Sequence, residues 1–215
     1  STLSMIIISD TNLSGFKTVN TYIEDLEFRD KYKSKLDEKS FFDKIKFKKR
    51  NRDEYEGIYT VYENIADKFK DNNLKNNFGE YYFLCRKAQR KVLKPIPKIE
   101  STLGLLSCGY GERPMYAVYF SFFVIFLFSI LYLIFGIKVN EEIITYDSIN
   151  KFRGLRQMLT DYNEALNLSV GMFAAVGLNE AQPSPRSYML SNIEMLIGVL
   201  MMGLGIGALV KKIVR

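Results

Sequence analysis

The chain has no histidine. A His-based catalytic triad, a His general base and any His-ligated metal site are therefore excluded. Its two cysteines, Cys85 and Cys108, are too few for a disulfide framework or a four-Cys zinc site. Proline numbers only 5 and glycine 14, so no low-complexity linker divides the chain. No nucleotide-binding loop and no paired acid constellation is present, so no enzyme activity, resident cofactor or metal is expected. The chain opens on Ser1 rather than Met, which fits a longer protein trimmed at its start.

What is present is unevenly spread. The chain has 215 residues, room for one large domain or two small ones, and its mean hydropathy is near zero at -0.06. Residues 1–113 hold 22 of the 30 Lys and Arg and 17 of the 24 Asp and Glu. From Pro114 to Ile137 there are 24 residues without one charge, PMYAVYFSFFVIFLFSILYLIFGI. A helix of that length reaches roughly 36 Å, more than the ~30 Å hydrocarbon core of a bilayer. Pro114 suits the first helical turn, where its missing N–H costs nothing. A second run, Ser187 to Val210, has Glu194 as its single charge and carries Gly198, Gly203, Gly205 and Gly207. Glycines at that density are tolerated by membrane helices, which use them to pack closely or bend. Glu194 is costly in lipid, so it is expected to face protein or water. Lys211, Lys212 and Arg215 close the run. The segment between the runs, Lys138 to Arg186, has 5 basic and 6 acidic residues. The positive-inside rule then places both termini in the cytoplasm and the loop outside a multi-pass protein of the cell membrane.

The loop holds the functional signal. Asp161 with Glu164 three residues on reads as a helix start. Leu166, Leu168, Val170, Met172 and Phe173 follow as about ten residues of apolar helix, ~15 Å or half a bilayer. Then come Ala174, Ala175, Val176 and Gly177, and a polar exit with Asn179, Glu180, Gln182, Pro183 and Pro185. A half-length helix running into an irregular strand of small residues reads as a re-entrant loop. Irregular backbone persists at membrane depth only where protein buries it or water lines it. One chain with two spans encloses no pore, so several copies are expected to share one.

In this order of span, half-length helix, AAVGLNE, proline and glycine-bearing span, residues 114–215 resemble the two-transmembrane potassium-channel superfamily. The family filter reads TTVGYGD followed by a proline. Here Ala174 and Ala175 stand for the two Thr, Val176 and Gly177 match, Leu178 stands for Tyr, Asn179 for the second Gly and Glu180 for Asp; Pro183 holds the proline position. The resemblance implies a mainly α fold: two transmembrane helices with a re-entrant pore helix and filter over 161–180, assembled as a homotetramer that conducts monovalent cations, K⁺ above all. The filter would be residues 174–179, with Glu180 as an acidic ring at the outer mouth. Gly198 or Gly203 would be the gating hinge of the inner helix, with Glu194 as its polar residue. Rings of backbone carbonyls replace an ion's hydration shell in such filters. Ala175 offers no hydroxyl to an inner ring and Leu178 no phenol to brace the filter, so cation conduction is expected to outlast strict K⁺ selectivity. The alternative is a membrane-anchored scaffold that conducts nothing and binds a partner through its cytoplasmic part. Gly109–Tyr110–Gly111 also spells the filter tripeptide, but no helix of the right kind precedes it and it reads as a turn.

Residues 31–113 read as a cytoplasmic helical hairpin and linker. Tyr55, Ile58, Tyr59, Tyr62, Ile65, Ala66 and Phe69 repeat at three and four, as do Phe78, Tyr81, Tyr82, Cys85, Ala88 and Val92. The turn falls at Asp71–Asn73, and Pro95 and Pro97 stop the second helix. Cys85 is expected to be packed and inert. In residues 1–30, Leu3, Ile8, Leu13, Thr18, Ile23 and Phe28 recur every five, with Ile6, Thr11, Phe16, Thr21 and Leu26 two positions before. Short strands explain this pattern, and it also resembles the last coils of a pentapeptide-repeat β-helix. Such repeats, a helical hairpin, a GYGERP-like junction and a two-span channel together resemble a bacterial and archaeal channel architecture. The basic run Lys44 to Arg52 is expected to meet anionic lipid headgroups rather than nucleic acid.

Overall fold

A computed structural model describes residues 1–31, 33–45, 50–146, 154–177 and 180–214. The chain divides into two compact units, Ser1–Glu112 with Lys211–Arg215, and Arg113–Val210.

The first unit begins with short strands that pair in parallel. β1 (Thr2–Leu3) pairs with β3 (Tyr22–Ile23), and β2 (Ile6–Ile8) with β4 (Leu26–Phe28). Both registers advance by 20 residues, Thr2 opposite Tyr22 and Ile6 opposite Leu26. Further along, the parallel bridges Asn12–Lys35 and Lys17–Phe41 lie farther apart in sequence, so the 20-residue offset holds for these first two pairs. Ile8, Leu13, Thr18 and Ile23 point inward at intervals of five, while Leu3 of the same series stays 42% exposed.

Two amphipathic helices follow, α1 (Arg52–Asp71) and α2 (Lys75–Val92). Their facing stripes bury Ile58, Val61, Tyr62, Ile65, Ala66 and Phe69 against Tyr81, Leu84, Cys85 and Ala88. Phe69 and Tyr81 stack with ring centroids 5.2 Å apart. The hairpin also closes the wound strands. Tyr62 Oη accepts from the Ile45 N–H at 2.8 Å, and Tyr81 Oη accepts from the Phe42 N–H and donates to the Phe42 carbonyl, both at 2.7 Å. Burial pushes the Cys85 thiol up to about 12, so at neutral pH it is a protonated core side chain.

Pro95 does stop α2, but it also starts a helix that the sequence pattern does not announce. In α3 (Pro95–Cys108) Pro95 occupies the first turn, where proline is at home. Gly109 ends the helix at φ 54, and its N–H bonds to the Leu105 carbonyl. Gly109–Tyr110–Gly111 forms a tight turn with all three residues at positive φ.

The second unit is built on α4 (Pro114–Phe135) and α6 (Tyr188–Ile213), both long and apolar enough to cross a membrane. Only 22% of each apolar window is buried within the chain, whereas the core helix of a soluble fold is mostly buried. Phe122, Phe123, Phe126, Leu196, Leu200 and Ile206 stand exposed. A continuous apolar surface of this extent requires lipid or protein around it. The two helices run antiparallel. Gly205 late in α6 approaches Ala117 early in α4, since a Cβ there would lie 3.5 Å from the Ala117 Cβ. At the other end, Ser184 Oγ donates to the Phe135 carbonyl at 3.2 Å and Ser187 Oγ to the Gly136 carbonyl at 2.9 Å.

That end is finished by a small antiparallel sheet in the order β6-β5-β7, from β5 (Ile137–Val139), β6 (Glu142–Ile144) and β7 (Gln182–Pro183). Asn140 and Glu141 join β5 to β6, both at positive φ, as a two-residue hairpin turn of the I′ type demands. Between β6 and β7 lies α5 (Leu155–Phe173).

Candidate functional site

α5 corrects the sequence-based helix in its length and its start. It has 19 residues, about 28 Å, rather than ten, and Asp161 lies inside it instead of capping it. The carboxylate is needed elsewhere: Asp161 is buried and accepts from Tyr146 Oη at 2.5 Å and from Gln157 Nε2 at 2.9 Å. The Tyr146 bond holds the first half of α5 to the segment just after β6, and the Gln157 bond braces Asp161 within the helix. Leu155, Met158 and Leu159 of that half are exposed, so apolar periodicity alone does not reveal it.

The second half of α5 is inserted beside both long helices. On the α4 side, Ser169 Oγ donates to the Ile125 carbonyl at 2.9 Å, and nearer the helix start Tyr162 packs edge-on to Phe126 at 6.5 Å. On the α6 side the contact is backbone to backbone. A Cβ at Gly198 would stand 1.9 Å from the Phe173 carbonyl oxygen, so only glycine fits. Gly198 is ten residues into α6, about 15 Å from its start. α5 therefore ends beside α6 about 15 Å from the start of that helix. The close approach accounts for Gly198 as a packing residue. Gly203 is exposed with open space about it, and α6 continues unbroken through both.

Glu194 ties the three helices together. It is fully buried; Tyr132 Oη of α4 donates to its Oε2 at 2.7 Å, and its Oε1 meets Ser169 Oγ of α5. The Ser169 hydroxyl has one proton and two oxygens in reach, the Ile125 carbonyl and Glu194 Oε1. The one hydroxyl proton of Ser169 is shared between these two acceptors. Sequence reasoning singles out Glu194 but misses its partners. The available signal is the pair Tyr132 and Ser169, hydroxyls set on otherwise apolar helix faces.

Beyond Phe173 the chain leaves the helix as an irregular turn rather than a strand. Ala174 has φ -76 and ψ -6, Ala175 φ 56 and Gly177 φ 65. The N–H groups of Ala174, Ala175 and Val176 turn back onto the carbonyls of Val170, Met172 and Gly171. The last two form a Schellman cap, with Ala175 in the left-handed position that glycine usually takes. Among the described residues none donates to the carbonyls of Ala174, Ala175, Val176 or Gly177, and all four residues are exposed. The negative end of the α5 dipole lies at this end of the helix.

Leu178 and Asn179 lie outside the described residues, as do residues 46–49 of the basic run. Glu180 is exposed, Ala181 is buried, and Gln182 and Pro183 then pair with Lys138 and Ile137 of β5. The chain thus returns to the end of the unit from which α5 departs. Comparison with protein-family models, with curated proteins and with solved structures gave no match.

Proposed function

We propose that the protein is a cation channel of the cell membrane, formed by four copies of this chain around a shared aqueous path, with K⁺ as its principal conducted ion. One observation carries the reading: α5 stops halfway along α6, and the four residues after it present carbonyls that no described residue uses. Unsatisfied carbonyls at mid-membrane are stable only beside water or an ion. A single chain offers them on one side only, so the path is completed by symmetry-related copies. Four copies give rings of carbonyls from residues 174–177, the arrangement that replaces a monovalent cation's hydration shell. Glu180 adds an acidic ring where the chain emerges, which concentrates cations.

In this reading α4 and α6 are the outer and inner spans, α5 is the pore helix, and both termini are cytoplasmic. Ala175 supplies a carbonyl but no hydroxyl, so discrimination against Na⁺ is weaker than in a filter with a hydroxyl ring. The bending of α6 at Gly198 or Gly203 belongs to the same proposal as its gating motion. The test is flux. Protein reconstituted into liposomes is expected to pass K⁺ and, more slowly, Na⁺, and to run as a tetramer in detergent. A monomer or dimer that passes neither ion would leave an anchored, non-conducting protein.

A further inference from the structure

A groove of about 180 Å³ opens between α1 and α2, lined by these two helices alone. Its α1 wall carries Glu63, Asp67 and Lys70, and its α2 wall Arg86 and Gln89. Two acids and two bases leave the lining without net charge. Ala66, Phe78 and Cys85 give it an apolar part, to which the protonated Cys85 thiol adds no charge. Counting back from the stacked pair Phe69 and Tyr81, Glu63 of α1 falls level with Arg86 of α2 to within one residue. Both charges act on the Tyr59 hydroxyl and on the Cys85 thiol, so both stand close to the same two atoms. Among the described residues, however, no ion pair engages either of them.

We propose that this groove binds a small zwitterion, an α-amino acid with an apolar side chain, its carboxylate on Arg86 and its ammonium on Glu63. Arg86 is held in place and short of acceptors. Its guanidinium lies over the Tyr110 ring at 5.8 Å, and its Nη1 donates to Gln89 Oε1 at 2.6 Å. That is one bond from a group with five N–H donors, and its Nε is enclosed without an acceptor. A carboxylate is the ligand group that matches such a planar fork. Across the groove, Glu63 Oε1 accepts from Tyr59 Oη at 3.0 Å, which fixes the carboxylate and leaves its second oxygen for another donor. A simple anion would answer Arg86 but meet Glu63 and Asp67, and a simple amine would answer the acids but meet Arg86 and Lys70. A molecule with both charges on one carbon answers both walls at once. The volume keeps it small, well below the ~300–1,000 Å³ of sites for drug-sized ligands. The apolar lining takes its side chain.

The full chain in detergent is titrated with three probes and followed by ligand-observed NMR. The probes are L-leucine, isocaproate, which lacks only its ammonium, and isoamylamine, which lacks only its carboxylate. L-leucine is expected to bind with Kd on the order of 1 mM, and each of the other two at least about tenfold more weakly. Arg86→Gln is expected to abolish L-leucine binding. Glu63→Gln keeps an acceptor for Tyr59 and is expected to weaken L-leucine about tenfold while leaving isocaproate unchanged, a selective loss that a damaged fold would not give. Should the Arg86→Gln protein lose its fold, the ratio of L-leucine to isocaproate affinity in the Glu63→Gln protein decides. Isocaproate binding as tightly as L-leucine would show an anion site and overturn the proposal. So would L-leucine binding that Glu63→Gln leaves unchanged, or no L-leucine binding at about 10 mM. Binding is read without ion flux, so its failure leaves the channel reading untouched.

Discussion

Phe69 in the first unit and Phe122 in the second are the same side chain under opposite conditions. Phe69 is fully buried between α1 and α2, whereas Phe122, near the middle of α4, is 67% exposed. The contrast holds across the two units. Helices α1 and α2 of the first carry one apolar stripe and many charges, so they close a core among themselves. The long helices of the second are apolar all round and leave most of that surface open. What holds the second unit internally is a set of specific contacts: Gly198 on Phe173, Glu194 between two hydroxyls, and the serines that bind the end of α4. A core closed by apolar stripes is thus joined to one held by close backbone approach and polar ties.

Substitutions break or sharpen this contrast. Phe69→Ala should cost the first unit about 3–5 kcal/mol, seen as a lowered denaturation midpoint, while Phe122→Ala in detergent should leave that midpoint unchanged. Equal effects would remove the distinction between the two kinds of surface. Gly198→Ala forces a methyl toward the Phe173 carbonyl and should destabilise the second unit by about 3 kcal/mol, read as earlier thermal dissociation and loss of flux. Glu194→Ala strands Tyr132 and Ser169 without their partner and should cost about 2 kcal/mol in the same assay. Glu194→Gln should cost less, because the amide keeps the side chain's shape and an acceptor oxygen for one of the two hydroxyls. A Gln variant as damaged as the Ala variant would show that a charged carboxylate is required there. Gly203→Ala meets open space and should gain about 0.5–1 kcal/mol from its better helix propensity. If flux through the Gly203→Ala protein also falls, bending at that glycine is needed for opening; unchanged flux removes it as a hinge.

The smallest effect is acid sensitivity confined to the first unit. Asp30 is partly buried, which by itself would raise its carboxyl, but bonds from Lys68, Ser34 and the Asp10 N–H outweigh that and hold it below the ordinary 3.8. Asp37 is likewise held low by the Gly15 N–H and by Ser40. A lowered folded value stabilises the fold above the ordinary carboxylate range, and the stability is lost as pH falls through the folded value. Urea midpoints for the first unit should therefore be flat from neutral pH down to about 4 and drop below it, and Asp30→Asn should flatten the drop.

Much of this organisation is legible in residue spacing. The stripes of α1 and α2 announce the hairpin because water-driven burial writes itself into period 3.6. The five-residue recurrence of Ile8, Leu13, Thr18 and Ile23 reappears as a 20-residue register between parallel strands. The two long apolar runs match α4 and α6 within a few residues. What escapes spacing has a physical reason in each case. α3 escapes it because Pro95 and Pro97 read as an end, when proline serves equally as a beginning. The first half of α5 escapes it because its fixed points are polar, Asp161 with Tyr146 and Gln157, and such hydrogen bonds leave no apolar period. Gly198 draws notice as a flexible point, whereas its contact with Phe173 depends on a neighbour that spacing does not supply.

Ion density in the assembled protein tests the channel most directly. Crystals of the tetramer grown with Rb⁺ or Tl⁺ in place of K⁺ should show anomalous peaks on the four-fold axis, at coordination distance from the carbonyls of Ala175, Val176 and Gly177. An assembly without a central axis, or an axis whose carbonyls at 174–177 face protein and hold no ion, would contradict it.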